Sequence, residues 1–366
     1  MYTEADLVRI AKRENNKKRS YLVVNRLQGK HIPVSPKEAF QMSGELAELI
    51  KKSYPTEKLL LIGFAETATA IGAAIAGELD CYYIQTTREN IENVDYIYFS
   101  EAHSHATEQK LVKEDIESII DKVDRIVFAE DEITTGNTIL NIIGILQQRY
   151  SGSVRFAVAS ILNGMNSEAR HTYKEKQIDT HYLVRTNHEA YSKIAETYKG
   201  DGVYHEVNIA SNRMKVPVCY AEGYSNARRL VKGKDYINAC DGLWNQVKDF
   251  LQLSGKSALV LGTEEFMFPA LYISLQLELS GLSVKCHSTT RSPIAVSSEE
   301  NYPFHERYEL RSFYDRDRIT YIYDLKSYEN VIIVTDAKEK SEEGISSLIN
   351  SLEISGNSDI CIIKWN

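Results

Sequence analysis

Five cysteines among 366 residues, at positions 81, 219, 240, 286 and 361, form no C-x-x-C pair and are odd in number. Neither a disulfide framework nor a zinc site is indicated by that spacing. No apolar run approaches the roughly 18 residues that would suggest a membrane span. The opening, MYTEADLVRIAKRENNKKRS, lacks the apolar core of a signal peptide. A cytoplasmic protein with no membrane partner is therefore expected. An excess of basic charge is missing too, since 43 Lys and Arg against 51 Asp and Glu leave a net charge of -8. No nucleic-acid partner is expected on that balance, although a local pocket for a phosphate remains compatible with it.

What is present is the composition of a soluble globular chain, 43% hydrophobic and 26% charged. The length suits two domains, each able to bury a full core. Short apolar runs alternate with helical periodicity, which predicts an α/β fold with a largely parallel sheet. In the first half, strands are expected at 59–63, 81–85, 125–129 and 154–162, with helices over 67–79, 112–123 and 138–149. The tract SNRMKVPVC (211–219) marks the expected boundary, giving domains 1–210 and 211–366. Beyond it, strands are expected at 258–262, 282–288, 330–336 and 359–365, and helices over 265–279 and 345–353. The span between 288 and 330 reads as irregular.

The two halves share more than element order. Gly63-Phe64-Ala65-Glu66 finds a counterpart in Gly262-Thr263-Glu264-Glu265, and Thr86-Thr87-Arg88 in Thr289-Thr290-Arg291. Arg88 precedes Asp131 by 43 positions and Arg291 precedes Asp336 by 45. An internal duplication accounts for both coincidences. The plainer alternative is the strand-helix-strand order that any two α/β domains have in common.

The stretch FAEDEITTGNT (128–138) carries the chemistry. Thr134, Thr135, Gly136, Asn137 and Thr138 offer backbone N–H groups and hydroxyls at a helix start, where partial positive charge favours a phosphate. Glu130 and Asp131, one step earlier, are suited to accept hydrogen bonds from vicinal hydroxyls. A sugar phosphate satisfies both halves, with the acids on a ribose and the turn on its 5-phosphate. The structural alternative is an ordinary capped helix after a strand. A Walker A loop does not compete, because its G-K-[ST] lysine is missing.

Four apolar residues, an acidic pair, two more residues and T-T-G-x-T form a pattern that resembles type I phosphoribosyltransferases. Together with GKHIPV (29–34), GFAETATAIG (63–72), TTREN (86–90), EAHSHAT (101–107) and STTRSPI (288–294), the chain resembles a bacterial phosphoribosyltransferase family found with tellurite-resistance genes. Members of that family carry a C-terminal TRSP domain, matched here by Thr290-Arg291-Ser292-Pro293. The resemblance implies a type I phosphoribosyltransferase-like parallel sheet with a hood, followed by a second α/β domain that looks like a divergent, degenerate copy. It further implies a pentosyl transferase that uses 5-phosphoribosyl-1-pyrophosphate with Mg²⁺ and an unidentified acceptor, in making a nucleoside-like stress metabolite. A homodimer or pathway enzymes are the partners left open. A non-catalytic sensor of the same ligand is the alternative.

The resemblance also distributes roles. Ala65, Glu66 and Thr67 fall in the pyrophosphate turn, although Glu66 reads equally as a helix N-terminal acid and Thr67 as a cap. Arg88 suits pyrophosphate, with a solvated arginine as the alternative. His103, Ser104 and His105 match a catalytic loop, against a polar surface segment. Lys30, with Arg26 and His31 nearby, is implied to lie in the hood over the acceptor. Glu265 and Arg291 are expected to converge in a pocket of the second half. No dedicated metal motif is expected, because Mg²⁺ binds mainly through substrate phosphates, with Glu130 and Asp131 as candidate protein ligands. Purine-salvage relatives often carry an aspartate where Thr134 stands, so a hypoxanthine or guanine acceptor is disfavoured. VTDAKEKSEEG in the second half keeps only Asp336 of the donor pattern.

Overall fold

A computed structural model describes residues 2–14, 19–99, 109–150, 154–209, 216–338 and 342–366. Its packing divides the chain into two compact units that interleave in sequence. Phe40–Thr186 and Ser225–Ala239 form the body of the first, and Thr3–Ala39, Asn187–Tyr224 and Cys240–Asn366 form the second.

The first unit is built on a six-stranded sheet in the order Val231–Lys232, Tyr82–Gln85, Leu59–Gly63, Arg125–Ile133, Arg155–Asn163, Asp179–Arg185. Only the two-residue edge strand Val231–Lys232 is antiparallel. Leu59–Gly63 is buried along its whole length, as a central parallel strand covered on both faces must be. The helix Thr69–Leu79 packs beside it and is apolar on nearly every side. Gly63 permits that close approach, since a Cβ there would lie 2.7 Å from the Tyr83 hydroxyl and 3.1 Å from the Ala68 carbonyl oxygen. The helices Lys113–Ile119 and Asn137–Arg149 supply Ile116, Ile119, Ile139, Ile142 and Leu146 to the core.

The second unit carries a five-stranded parallel sheet in the order Val218–Ala221, Ile360–Trp365, Asn330–Thr335, Ser257–Gly262, Ser283–Ser288. Its four strands after 256 run second, first, third, fourth across the sheet, as do the corresponding four of the first unit. Gly63 pairs with Gln85 and Ala129, and Gly262 with Ser288 and Val334. Asp131 and Asp336 each stand two residues beyond that shared rung. Strand order and register are thus compatible with a divergent copy of the first fold.

N-terminal residues complete this second unit. Val8–Lys12 pairs with Tyr21–Asn25, Lys12 O accepts from Ala295 N at 2.9 Å, and Val34 bridges to Cys286. The span expected to be irregular between 288 and 330 contains Glu306–Arg311 and Ile319–Tyr323, paired antiparallel, with Val203–His205 added in parallel. Charge hides these strands from hydrophobic patterning. Arg307 lies over the rings of Tyr204 and Tyr321 at 4.6 and 5.0 Å and pairs with Glu14 and Glu309. A charged side chain shielded in this way occupies a position that an apolar residue would ordinarily signal.

Among the described residues, no helix is long and apolar enough to cross a membrane. At the start of the Arg125–Ile133 strand, the Arg125 side chain keeps 6% exposure and pairs with Glu57 at 2.8 Å and Asp179 at 3.0 Å. Its guanidinium also lies 3.9 Å from the centre of the Tyr54 ring. Arg125→Ala is expected to lower unfolding free energy by about 3 kcal/mol in a urea titration. That is the low end for a broken buried pair, because Asp179 retains 54% exposure and can be solvated.

Candidate active site

Sequence reading ends the third core strand at Ala129, whereas the strand continues to Ile133. The cause is pairing with Arg155–Asn163, which extends to Glu132 and Ile133 and holds the acidic residues extended. Glu130, Asp131 and Glu132 are half-buried there. The turn is consequently compressed to Thr134–Gly136, and the helix begins at Asn137. Gly136, not a threonine, is the N-cap, with φ of 69° and no side-chain cap bond. Thr135 Oγ1 accepts from Asn137 N at 3.4 Å, and both residues are exposed. The start of a 13-residue helix therefore opens outward one turn beyond the acids.

Tyr173 is the supporting residue that sequence reasoning missed. It lies on the apolar face of the Ser167–Glu175 helix, 1% exposed, and its hydroxyl donates to Gly136 O at 2.8 Å. Burial, and then the charge of Glu130, pushes the phenol pKa up, so it remains a neutral donor. A Cβ at residue 136 would fall 2.3 Å from that hydroxyl. Its only sequence signal is one aromatic at core spacing.

The pyrophosphate-turn candidates stand next to these acids. Ala65 and Glu66 are buried and joined by a cis peptide, and Phe64 N donates to Ala129 O at 3.1 Å. Thr67 Oγ1 donates to Asp131 Oδ1 at 2.8 Å, joining the two candidate subsites directly. Arg88 is half-buried and follows Thr87, whose backbone exchanges hydrogen bonds with Lys110 at 2.9 and 3.0 Å. His103, Ser104 and His105 lie outside the described residues.

Lys30, Glu265 and Arg291 belong to the second unit, where their charges meet internal partners. Lys30 is fully buried, and its ammonium donates to the carbonyl oxygens of Glu264 and Thr289 at 2.6 and 2.8 Å. Arg291 and Arg318 both reach Glu264 Oε2 at 2.9 Å, and Arg291 also reaches Glu265 at 3.3 Å. Glu265 and Arg291 do converge, as the sequence suggests, but around Glu264, whose other oxygen accepts from Ser312 at 2.5 Å. Asp336 accepts from the hydroxyls of Tyr224 and Tyr314 at 2.7 and 2.6 Å. A hood placement for Lys30 does not describe this enclosure, which comes from the pairing of 3–39 with the C-terminal strands.

The first unit thus sets an acidic strand end, a turn and a helix start in sequence, with a second turn bonded to the acid. A family model described as phosphoribosyl transferase matches residues 7–192, and one described as the TRSP domain C-terminal to it matches 234–352. The first match spans half of the chain. The chain belongs to this phosphoribosyltransferase family and carries its TRSP domain. No curated protein matches it in sequence.

Solved structures similar to it include adenine phosphoribosyltransferases. That of Rhodothermus marinus is 13% identical, covering 50% of this chain and 96% of its own, at a TM-score of 0.37. The Giardia lamblia enzyme with 9-deazaadenine is 12% identical, covering 51% and 100%, at 0.38. The Trypanosoma brucei enzyme with AMP, pyrophosphate and ribose-5-phosphate is 17% identical, covering 49% and 76%, at 0.36. At such scores the family match alone carries the assignment.

Two outcomes test the architecture of the two units. Gly136→Ala forces a side chain into the left-handed region and against Tyr173, and is expected to cost about 1–2 kcal/mol or more in denaturant stability. In the second unit, burial is the main cause that pushes both His31 and His287 down to a pKa of about 3. Folded, these rings stay neutral where the unfolded chain already binds protons. Stability should therefore fall as pH drops below about 6.5, by up to ~1.4 kcal/mol per pH unit for each ring, until about pH 3. Urea midpoints at pH 7.5 and 5 should show the loss, and His287→Gln should reduce it.

Proposed function

We propose that the chain transfers a phosphoribosyl group from 5-phosphoribosyl-1-pyrophosphate to an acceptor, with the donor held in the first unit. Glu130 and Asp131 accept from the ribose hydroxyls, and Thr134 to Thr138 hold the 5-phosphate. Ala65, Glu66, Thr67 and Arg88 take the pyrophosphate. The observation that carries this assignment is the Thr67–Asp131 hydrogen bond, which sets the ribose acid beside the second turn and one turn from the helix start. His103, Ser104 and His105 enter the proposal from sequence alone. The second unit's strand ends serve as architecture, because their charges are paired internally.

Transfer at an anomeric carbon develops positive charge on the sugar and negative charge on the leaving group. Among the described residues, no three His, Cys, Asp or Glu side chains converge as a metal cage. Mg²⁺ needs only one or two carboxylates when it travels with phosphates, and the half-buried Glu130 and Asp131 fit that requirement. Bound there, it would neutralise charge on the departing pyrophosphate. A nucleoside-like product linked to tellurite resistance is part of the same proposal and rests on the family resemblance of the sequence alone. A cytoplasmic setting is supported by five free cysteines. As sequence domains, distinct from the interleaved packing units, 1–210 and 211–366 are proposed, supported by the family matches at 7–192 and 234–352.

Asp131→Asn removes a charged acceptor while keeping its shape. Donor affinity should weaken by about 1.5–3 kcal/mol in calorimetry with Mg²⁺ present. Equal affinity in both proteins would take Asp131 out of the site. A ribosylated mass formed from a metabolite pool plus donor would establish turnover, and binding without any such product would favour a sensor.

A further inference from the structure

Gln109 carries no role in the family pattern described above, yet it is the half-buried end of a relay that reaches the candidate pyrophosphate turn. Ala65 N donates to Thr86 Oγ1 at 2.8 Å, and Thr86 Oγ1 donates to Gln109 Oε1 at 2.6 Å. A hydroxyl has one proton to give. Since the Ala65 N–H occupies a lone pair of Thr86, that proton must find an acceptor elsewhere, and the Gln109 carbonyl supplies it. Thr86 is fully buried, so no water replaces its hydroxyl as the acceptor for Ala65 N–H cheaply. Gln109 itself is fixed by the strand Gln109–Val112, paired with Tyr96–Phe99. The next residue, Lys110, locks to Thr87 through both backbone groups.

The first contact of the relay also occurs in the second unit, where Glu264 N donates to Thr289 Oγ1 at 3.0 Å. That pairing is therefore a property of the strand-turn geometry. In the first unit the hydroxyl is additionally fixed by a side chain from a separate hairpin, next to a turn whose Thr67 bonds the ribose acid.

We propose that Gln109 is a positioning residue: acting through Thr86, it holds the Ala65 N–H inward and thereby sets the orientation of Glu66 and Thr67 toward pyrophosphate. The proposal rests on the phosphoribosyl assignment of the first unit. Losing Gln109 leaves the Thr86 proton without its acceptor. Losing the Thr86 hydroxyl orphans the Ala65 N–H, which the turn can relieve only by rotating its peptide. Either change acts on the pyrophosphate side of the site and leaves the helix start at Asn137 untouched.

Calorimetry on the full chain, with Mg²⁺-pyrophosphate and ribose 5-phosphate as separate probes, tests this. Gln109→Leu and Thr86→Val should each weaken pyrophosphate about tenfold, the loss of one buried hydrogen bond. Ribose 5-phosphate should change by less than about twofold, which also shows that the variants are folded. Thr86→Ser keeps the hydroxyl and should retain pyrophosphate affinity. The double variant should be no weaker than Thr86→Val alone, because the two residues act in series. Unchanged pyrophosphate affinity in both single variants, or equal losses for both probes, would overturn the positioning role while leaving the phosphoribosyl assignment intact. Wild-type protein that binds neither probe would overturn both.

Discussion

The candidate site depends on how closely the apolar helix Thr69–Leu79 can lie against the strand Leu59–Gly63. Gly63 and Gly72 leave no side chain between them, and Tyr83 fills the remaining space with its hydroxyl donating to Thr69 O at 2.8 Å. Because strand and helix are this close, the connection between them has only the residues 64–68 in which to turn. Thr67 is thereby carried to Asp131 on the neighbouring strand. An added methyl at either glycine would push the helix off the sheet and take the turn with it. The buried surface thus sets the geometry of polar groups that it does not itself contain.

Closely similar strand order in the second unit leads to a different outcome. At its strand ends, Glu264 receives Arg291 and Arg318, Lys30 bonds neighbouring carbonyls, and two tyrosines meet Asp336. A charge buried without a counter-charge is expensive, so such a cluster must come close to neutrality from its own residues or from a ligand. Here the chain's own residues supply it. In the first unit, Glu130 and Asp131 are only half-buried, and Asp131, which accepts from Thr67, lies on the strand that leads to a helix whose Gly136 N-cap makes no side-chain cap bond. One topology therefore carries at its strand ends a charge cluster around the fully buried Glu264 in one unit and half-buried acids in the other.

Local pattern was enough for most of the parallel strands and their helices, because a strand buried on both faces must be continuously apolar and a helix beside it must repeat near 3.6 residues. The strand Leu59–Gly63 and the helices beginning at Thr69 and Asn137 fall within a residue or two of where that pattern puts them. The acid-turn-helix motif was legible for a related reason. Its residues are contiguous, and each owes its role to backbone geometry within a few positions. Glu306–Arg311 and Ile319–Tyr323 were not legible, since Arg307 is sheltered by tyrosines distant in sequence. Tyr173 and Gln109 escaped notice for the same cause: each meets its partner, Gly136 or Thr86, 37 or 23 positions away along the chain.

By itself, then, the sequence determined the α/β class, the order of the core elements and the presence of an acidic pair before a threonine-glycine turn, all of which follow from neighbours in the chain. Only the tertiary structure decided that the acids remain on an extended strand and that glycine caps the helix. It likewise decided that Lys30 and Arg291 are committed to internal partners and that residues 3–39 complete the C-terminal unit. The reason is that these outcomes are set by which hydrogen-bonding edge or buried charge finds a partner across long sequence separations. Periodicity and local spacing contain no record of that pairing.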